Sequence, residues 1–468
     1  MFPALNSIMM GGREVLPLVE GGKGVSATNG ASSGAWAAAG GVGTISAVNA
    51  DSYDSTGNII PQVYYGKTRR DRHEELINYA IAGGIAQIRR AFEIASERGA
   101  ININVLWEMG GAQRILHSIL EQTKGLVNGV TCGAGMPYKL SEIAAQYGVY
   151  YYPIVSSARA FRALWKRAYR KVSDLMGAVV YEDPWLAGGH TGLSNAEDPN
   201  IPQPHYSRVR ELRETMRSQG IKDHIPIIVA GGVWYLRDWV DWIDNPELGQ
   251  IVFQFGTRPL LTRESPIPDS WKRALLNIRK GDVYLQKFSP TGFYSSAVRN
   301  DFMHMLEERS ARQISIKSKP DDEHCVQLEA GNLRKKLYVS QEDFNRSRNW
   351  VKAGYGDVLV TPDQSVVFVT PQDRMKIKKD QSECMGCLSH CSFSSWVQDD
   401  KGKGSGRLAD PRSYCIQKSL QAIAHEGDVD NNLMFAGYNA FEFSQDPLYS
   451  NGYIPKVKEL IARIMTGN

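Results

Sequence analysis

Residues 225–234 read IPIIVAGGVW, and residues 253–265 read FQFGTRPLLTRES. Each begins as a short apolar run and ends in glycine, and a helix-compatible segment follows. Continuous apolar runs of this length, without alternation, read as strands buried on both faces, as in a parallel sheet. The same unit recurs toward the N-terminus. Strand candidates lie at residues 42–47 (VGTISA), 101–105 (ININV), 129–134 (GVTCGA), 150–155 (YYYPIV) and 178–182 (AVVYE), with a weaker first strand at 16–20. Helical patterns at 74–98, 156–174, 206–219 and 269–280 separate them. In the first of these, Leu76, Ile77, Ala80, Ile81, Ile85, Ile88, Ala91, Phe92 and Ile94 recur at helical spacing. Strand-then-helix repeated about eight times predicts a TIM (β/α)8 barrel. An open doubly wound sheet has fewer strands, and here no GxGxxG follows the first one.

The composition agrees with a folded enzyme. Of 468 residues, 42% are hydrophobic and 22% charged, which excludes a mainly disordered chain. No run of 18 uncharged apolar residues occurs, so no membrane partner is expected. The N-terminus lacks a basic region followed by a long apolar run, so the cytoplasm is the expected location. A net charge of +4 is too mild to specify nucleic acid. A basic helical face (Arg159, Arg162, Lys166, Arg167, Arg170, Lys171) reads as a solvated outer helix, with docking of an acidic carrier protein or RNA as the sharper readings. Past residue 290 the alternation stops. The expected organisation is a barrel over residues 1–290 and an irregular, mainly helical extension over 291–468, with helical pieces at 297–312, 411–425 and 454–465.

Four glycine-rich strand ends carry candidate chemistry. After the seventh and eighth strands, Gly231, Gly232, Gly256 and Thr257 expose backbone N–H groups where barrels bind phosphate. After the sixth strand, LAGGHTG (residues 186–192) lets a flat ligand approach Gly188 and Gly189 and sets His190 over the barrel mouth. A histidine there titrates near neutrality and can exchange protons with a substrate. After the fourth strand, Gly133 and Gly135 open the barrel top, while Cys132 reads as a small buried residue rather than a nucleophile. The 24 residues 49–72 are long for a connection and leave from the catalytic face, as a lid or as a plain surface excursion.

GVGTIS, INVL, GAGMP, AGGHTG, IPIIVAGG and QFGTRPLLTRES, in this order, resemble the nitronate monooxygenase (2-nitropropane dioxygenase) family, which includes FMN-dependent enoyl-acyl-carrier-protein reductases. The resemblance spans roughly residues 16–300. It implies FMN at the C-terminal face, with its phosphate on Gly231, Gly232, Gly256 and Thr257. It also implies Asn104 and Gly133 near the flavin ring and His190 beside flavin and substrate. Two departures stand out. The histidine that many nitronate-oxidising members carry at the end of strand four is absent from TCGAG (residues 131–135), which resembles the enoyl-reductase branch. Leu186 stands where an acidic residue often precedes AGGH.

The extension holds ECMGCLSHC (residues 383–391) and then SYCI (413–416). Cys384, Cys387, Cys391 and Cys415 follow the spacing C-x2-C-x3-C-x23-C. Four thiols suit a [4Fe-4S] cluster or zinc, and three in one short turn favour the cluster, since zinc more often takes two separated knuckles. The triplet also resembles that of flavin-barrel dienoyl-coenzyme A reductases. Cys325 is an alternative fourth ligand, and His390 a neighbour of the site. A cluster beside FMN makes a one-electron relay, which nitronate oxidation by oxygen does not need. The expectation is therefore an FMN-dependent oxidoreductase with His190 as acid/base, fed by NAD(P)H or by an electron-carrier protein. Its substrate would be a small molecule or acyl-carrier-bound, and a homo-oligomer is compatible. An enoyl reductase is the alternative within enzymes, and an RNA-acting flavoprotein or RNA-binding module the alternative of another class.

Overall fold

The computed structural model describes residues 2–332, 335–398 and 406–468. Eight parallel strands close into a barrel: β1 (Leu18–Glu20), β2 (Val42–Ser46), β3 (Ala100–Leu106), β4 (Gly129–Gly133), β5 (Tyr150–Val155), β6 (Val179–Glu182), β7 (Ile227–Ala230) and β8 (Ile251–Phe255). Each pairs with its neighbour in sequence, and β8 closes on β1 through Phe253 opposite Leu18. The expected strands are all present, because their apolar side chains are buried on both faces: all five residues of β2 and of β4 are buried.

The outer helices follow local signals. α1 (Gly30–Ala38) is capped by Asn29, whose side chain accepts from the backbone N–H of Ala31 and Ser32. α2 (Arg69–Ala95) starts earlier than its apolar stripe suggests. Thr68 accepts from the Asp71 N–H and the Asp71 carboxylate accepts from the Thr68 N–H, a reciprocal cap that fixes the start. α3 (Ala112–Gln122), α4 (Leu140–Tyr147), α5 (Ala158–Arg167), α6 (His205–Ser218) and α7 (Asp269–Leu276) continue the ring. The helix expected over 156–174 breaks after α5 into a 3-10 segment, Tyr169–Leu175, with Val172 outside helical geometry.

The remainder carries more helix than strand, as expected, with small antiparallel sheets that the sequence did not announce. Residues Val283–Gln286 and Ser295–Val298 form a hairpin that spans the 290/291 division, and Gly189–His190 joins its edge. Residues 297–298, expected in a helix, are therefore strand, and the helix begins after the Asn300 cap, as α8 (Asp301–Ala311). A second antiparallel sheet (Gln313–Ser315, Asp357–Val360, Ser365–Val369) has its own core of Ile314, Val358, Val366 and Phe368. α9 (Gln341–Lys352) and α10 (Pro371–Ser382) flank it. α11 (Ile416–Gln421) follows the last cysteine, and α12 (Val457–Ile464) returns to the barrel. There Val457, Leu460, Ile461 and Ile464 enter the main core and the helix packs on α1, completing the outer ring. Fully burying each such side chain is worth about 1.5–3 kcal/mol. Among the described residues no helix is long and apolar enough to cross a membrane.

Candidate active site at the barrel mouth

A cleft of about 630 Å³, including its open mouth, lies at the C-terminal ends of β1, β6, β7 and β8. Gly231 (φ +93) and Gly232 (φ +76) turn the chain after β7 in the left-handed region, where side chains other than glycine are strained. A Cβ on Gly231 would also stand 2.8 Å from the Ala187 nitrogen. Gly256 is different. Its φ is not positive, and an added Cβ would meet nothing within 4 Å. The protein itself makes no demand for glycine there; the space opens onto the cleft.

Thr257 and Arg258 complete this wall. The Thr257 Oγ1 accepts from the Gly437 N–H at 2.9 Å, so its own proton is free to point elsewhere. Arg258 is fully buried, and its Nη1 donates to the Trp234 carbonyl (2.7 Å) and its Nη2 to Asp446 (3.0 Å). Its Nε has no partner among the described residues. A buried unpaired guanidinium N–H costs free energy unless a ligand satisfies it. Backbone N–H groups of three glycines, a hydroxyl and an orphaned Arg N–H match a phosphate monoester. The residues therefore fit the tail of FMN.

Three charged groups that flank this wall, on the adjoining strands β1 and β6, escaped the sequence reading. Lys23, after β1, donates from Nζ to the Gly21 carbonyl at 2.6 Å and stands 3.6 Å from the Glu20 carboxylate. Burial pushes the Lys23 pKa down and the Glu20 pKa up, each partly countered by the other's charge. Glu182, the last residue of β6, also faces the cleft, as do Gly437 and Asn439 from the extension. The Asn439 amide donates to the Gly232 carbonyl at 2.7 Å. No local sequence signal marks Gly437 or Asn439, because only the closed fold brings residue 437 beside residue 257.

Of the expected cofactor residues, Gly188, Gly231, Gly232, Gly256 and Thr257 line this cleft. Asn104 stands behind its wall, with its Cβ where a Cβ on Gly22 would fall, 2.6 Å away. Gly133, Gly189 and His190 are outside the lining. Gly133 packs on Ile154. Gly188 leaves room for the extension: a Cβ there would stand 2.6 Å from the Gly437 nitrogen. His190 pairs with Ser295, packs edge-on against Phe435 at 5.3 Å, and shares a 2.6 Å hydrogen bond between Nε2 and Ser289 Oγ. Burial pushes its pKa down to about 4, so the ring is neutral at pH 7.

The four cysteines of the extension meet over the other half of the mouth. Gly110 N–H donates to the Cys387 carbonyl (2.9 Å), Arg72 to the Cys384 carbonyl (3.1 Å), and the His73 Nδ1 to the Gly386 carbonyl (3.0 Å). The triplet is thus fixed on the first turn of α2 and the loop after β3. Burial and the neighbouring thiols raise Cys387 well above the ordinary thiol pKa, Cys391 to about 11 and Cys415 to about 12. Cys415, not the exposed Cys325, is the fourth member of this group. None is in a disulfide. Among the described residues, no three His, Cys, Asp or Glu side chains converge on one metal ion. Neither the expected [4Fe-4S] cluster nor the zinc alternative finds a ready-made ligand set on Cys384, Cys387, Cys391 and Cys415 here.

The 49–72 loop does not cover the glycine cleft. Tyr64 faces Cys387 and Cys415, Asn49 bonds Gln417 (2.5 Å), and Asp51 bonds His425 (2.9 Å). It packs on the cysteine layer. The basic residues of α5 and the segment after it are exposed on the outer ring, and Arg167 donates to the Tyr138 hydroxyl at 3.0 Å.

The nitronate monooxygenase family model matches residues 9–366. Among solved structures, FabK from Thermotoga maritima is similar at 16% identity and a TM-score of 0.51, over 96% of this chain and 92% of that one. The enoyl reductase domain of MlnA from the macrolactin biosynthesis cluster of Bacillus amyloliquefaciens is similar at 12% identity and a TM-score of 0.53, over 97% and 93%. At such identities these likenesses show a shared fold. No curated protein matches the chain in sequence. With a family model spanning most of its length and a phosphate-fitting cleft at the barrel mouth, the chain belongs to the nitronate monooxygenase family of FMN-dependent oxidoreductases.

Proposed function

We propose that the protein is an FMN-dependent reductase of an activated double bond in a small or carrier-bound acyl substrate, supplied with electrons through an iron–sulfur centre on Cys384, Cys387, Cys391 and Cys415. The observation that carries this reading is the placement of four reduced, mutually interacting thiols on the catalytic face of a flavin-type barrel. Four Cys thiolates would be the ligand set that a [4Fe-4S] cluster takes. Nitronate oxidation by oxygen is the second reading within the family; it leaves the thiols without a role.

When bound, FMN supplies two-electron hydride chemistry coupled to one-electron exchange. The chain's own residues have distinct tasks. Gly231, Gly232, Gly256, Thr257 and Arg258 hold the phosphate, with Gly188 and Gly189 on the adjoining loop. Asn104, packed behind Gly22, would support the wall of the cleft, with Gly133 farther out against Ile154. His190, neutral and fixed by Ser289, positions the Ser289–Thr291 hydroxyl pair (2.9 Å) beside the mouth. The barrel (1–290) and extension (291–468) act as one catalytic unit in the cytoplasm, with NAD(P)H or a carrier protein as donor. Iron, acid-labile sulfide and FMN should be quantified in anaerobically purified protein. Four irons and one FMN per chain are expected, and Cys387→Ser should lose the iron while keeping the flavin. Flavin without iron in the parent protein would remove the relay.

A further inference from the structure

The acid/base residue picked out by sequence, His190, does not line the cleft, whereas one titratable group that no motif marks does. Glu182 ends β6 and lines the cleft; it pairs with Ala230 of β7, beside the Gly231–Gly232 turn. At the mouth of a barrel, strand-end residues of this kind carry chemistry. Its neighbour Asp183 provides the internal contrast. The Asp183 carboxylate accepts from the backbone N–H of Trp185 and of Leu186 (3.0 Å each) and from the Tyr181 hydroxyl (3.1 Å). The Glu182 carboxyl has no hydrogen-bond partner among the described residues. One carboxyl is structural and the other is free to meet a ligand.

We propose that Glu182 is a catalytic acid/base residue of the cleft, touching the bound cofactor or substrate and carrying the proton that accompanies hydride transfer. The assignment rests on the FMN-reductase reading. In reduction of an activated C=C bond, hydride adds to one carbon and a proton to the other. The Glu182 O–H bond breaks as the new C–H bond forms, and the carboxylate then recovers a proton from water at the open mouth. Burial, with the Asp183 charge, raises the Glu182 pKa to about 7, the range in which a carboxyl both gives and takes a proton. The charged groups facing the same cleft are Lys23, with its partner Glu20, and Arg258; of the charged groups nearby, it is Asp183 that acts on Glu182.

The test uses the full chain loaded with FMN. The visible spectrum and fluorescence of the bound flavin are titrated from pH 5 to 9 in the parent, in Glu182→Gln and in His190→Ala. Turnover of crotonyl-coenzyme A, with reduced methyl viologen as electron source, is read alongside. The expected result is a flavin transition near pH 7 in the parent and in His190→Ala that is absent from Glu182→Gln. Glu182→Gln should keep its FMN and lose turnover by about 100-fold or more, with partial recovery in Glu182→Asp. An unchanged flavin titration in FMN-loaded Glu182→Gln, or unchanged turnover, overturns the assignment. Parent protein that takes up no FMN overturns the cofactor reading itself, and the assignment with it, before any variant is made.

Discussion

The Nε2 of His190 lies 2.6 Å from the Oγ of Ser289, and Ser289 sits between two residues that hold the cysteine layer. The Phe288 carbonyl accepts from the Ser413 hydroxyl (2.7 Å), and the Pro290 carbonyl from the Ser392 N–H and hydroxyl (2.9 Å each). Ser392 follows Cys391, and Ser413 precedes Cys415 by two residues. One tripeptide thus joins the histidine to both ends of the thiol set.

Removing the hydroxyl leaves a half-buried imidazole nitrogen without its partner. Ser289→Ala is expected to cost about 1–3 kcal/mol, read from urea unfolding. The imidazole adds a pH dependence with a definite sign. Its folded pKa lies below the ordinary value, so between about 4 and the unfolded value of 6.5 the unfolded chain binds more protons. This contribution to stability is present above pH 6.5 and is lost as pH falls toward 4. A His190→Phe variant should show a flatter decline of Tm across that window; an identical decline would assign it to other groups.

The cleft glycines separate backbone need from ligand need. Gly231→Ala places a Cβ at positive φ and against the Ala187 nitrogen, so it should lower the stability of the apoprotein by roughly 1–3 kcal/mol. Gly256→Ala meets no protein atom, so the apoprotein should melt within about 0.5 kcal/mol of the parent. Its FMN affinity should nevertheless fall at least tenfold. Differential scanning calorimetry and fluorescence titration with FMN read the two effects. A Gly256→Ala variant that binds FMN normally would mean that the phosphate rests elsewhere.

How far the sequence reveals this site depends on the range of the contacts. The barrel strands were legible because burial on both faces writes a continuous apolar run, as in residues 42–47. The cap at Thr68 was legible in principle, since T-x-x-D precedes the stripe of α2, but the stripe alone sets the start near Glu74. The cleft was half legible. Gly231, Gly232 and Gly256 announce themselves at strand ends, whereas Gly437 and Asn439 come from a segment whose local sequence, FAGYNAF, carries no sign of its destination. The same long-range packing reassigns Gly188: its lack of a side chain admits the Ala436–Gly437 backbone. Glu182 was visible as a strand-end acid, but only its orientation and unpartnered carboxyl distinguish it from Asp183.

Cysteine substitutions distinguish the fourth ligand. Cys415 acts electrostatically on Cys387 and lies in the shared core, while Cys325 is exposed. Cys415→Ser should reduce bound iron to a small fraction of the parent value, and Cys325→Ser should leave it unchanged, both measured by colorimetric iron assay on anaerobically prepared protein. Full retention of iron in Cys415→Ser would remove that residue from the ligand set.

The last relationship links the end of the chain to the cofactor. Asp446 is fully buried and accepts from Arg258 (3.0 Å), Arg463 (2.9 Å) and the Leu448 N–H (2.9 Å). It orders the return of α12 and at the same time holds the guanidinium of Arg258, a residue that lines the cleft. Breaking one side of a buried pair costs about 3–5 kcal/mol, because the partner charge stays buried. Asp446→Asn keeps the shape and one acceptor oxygen and removes the charge, so its unfolding free energy should drop by an amount in that range. FMN should protect the variant less than the parent. The protection is RT ln(1 + [L]/Kd), which at 1,000 times Kd amounts to about 4.1 kcal/mol. If Arg258 holds the phosphate, a tenfold weaker Kd removes about 1.4 kcal/mol of that protection at the same FMN concentration. Equal protection of parent and Asp446→Asn would show that Arg258 supports the fold without touching the cofactor.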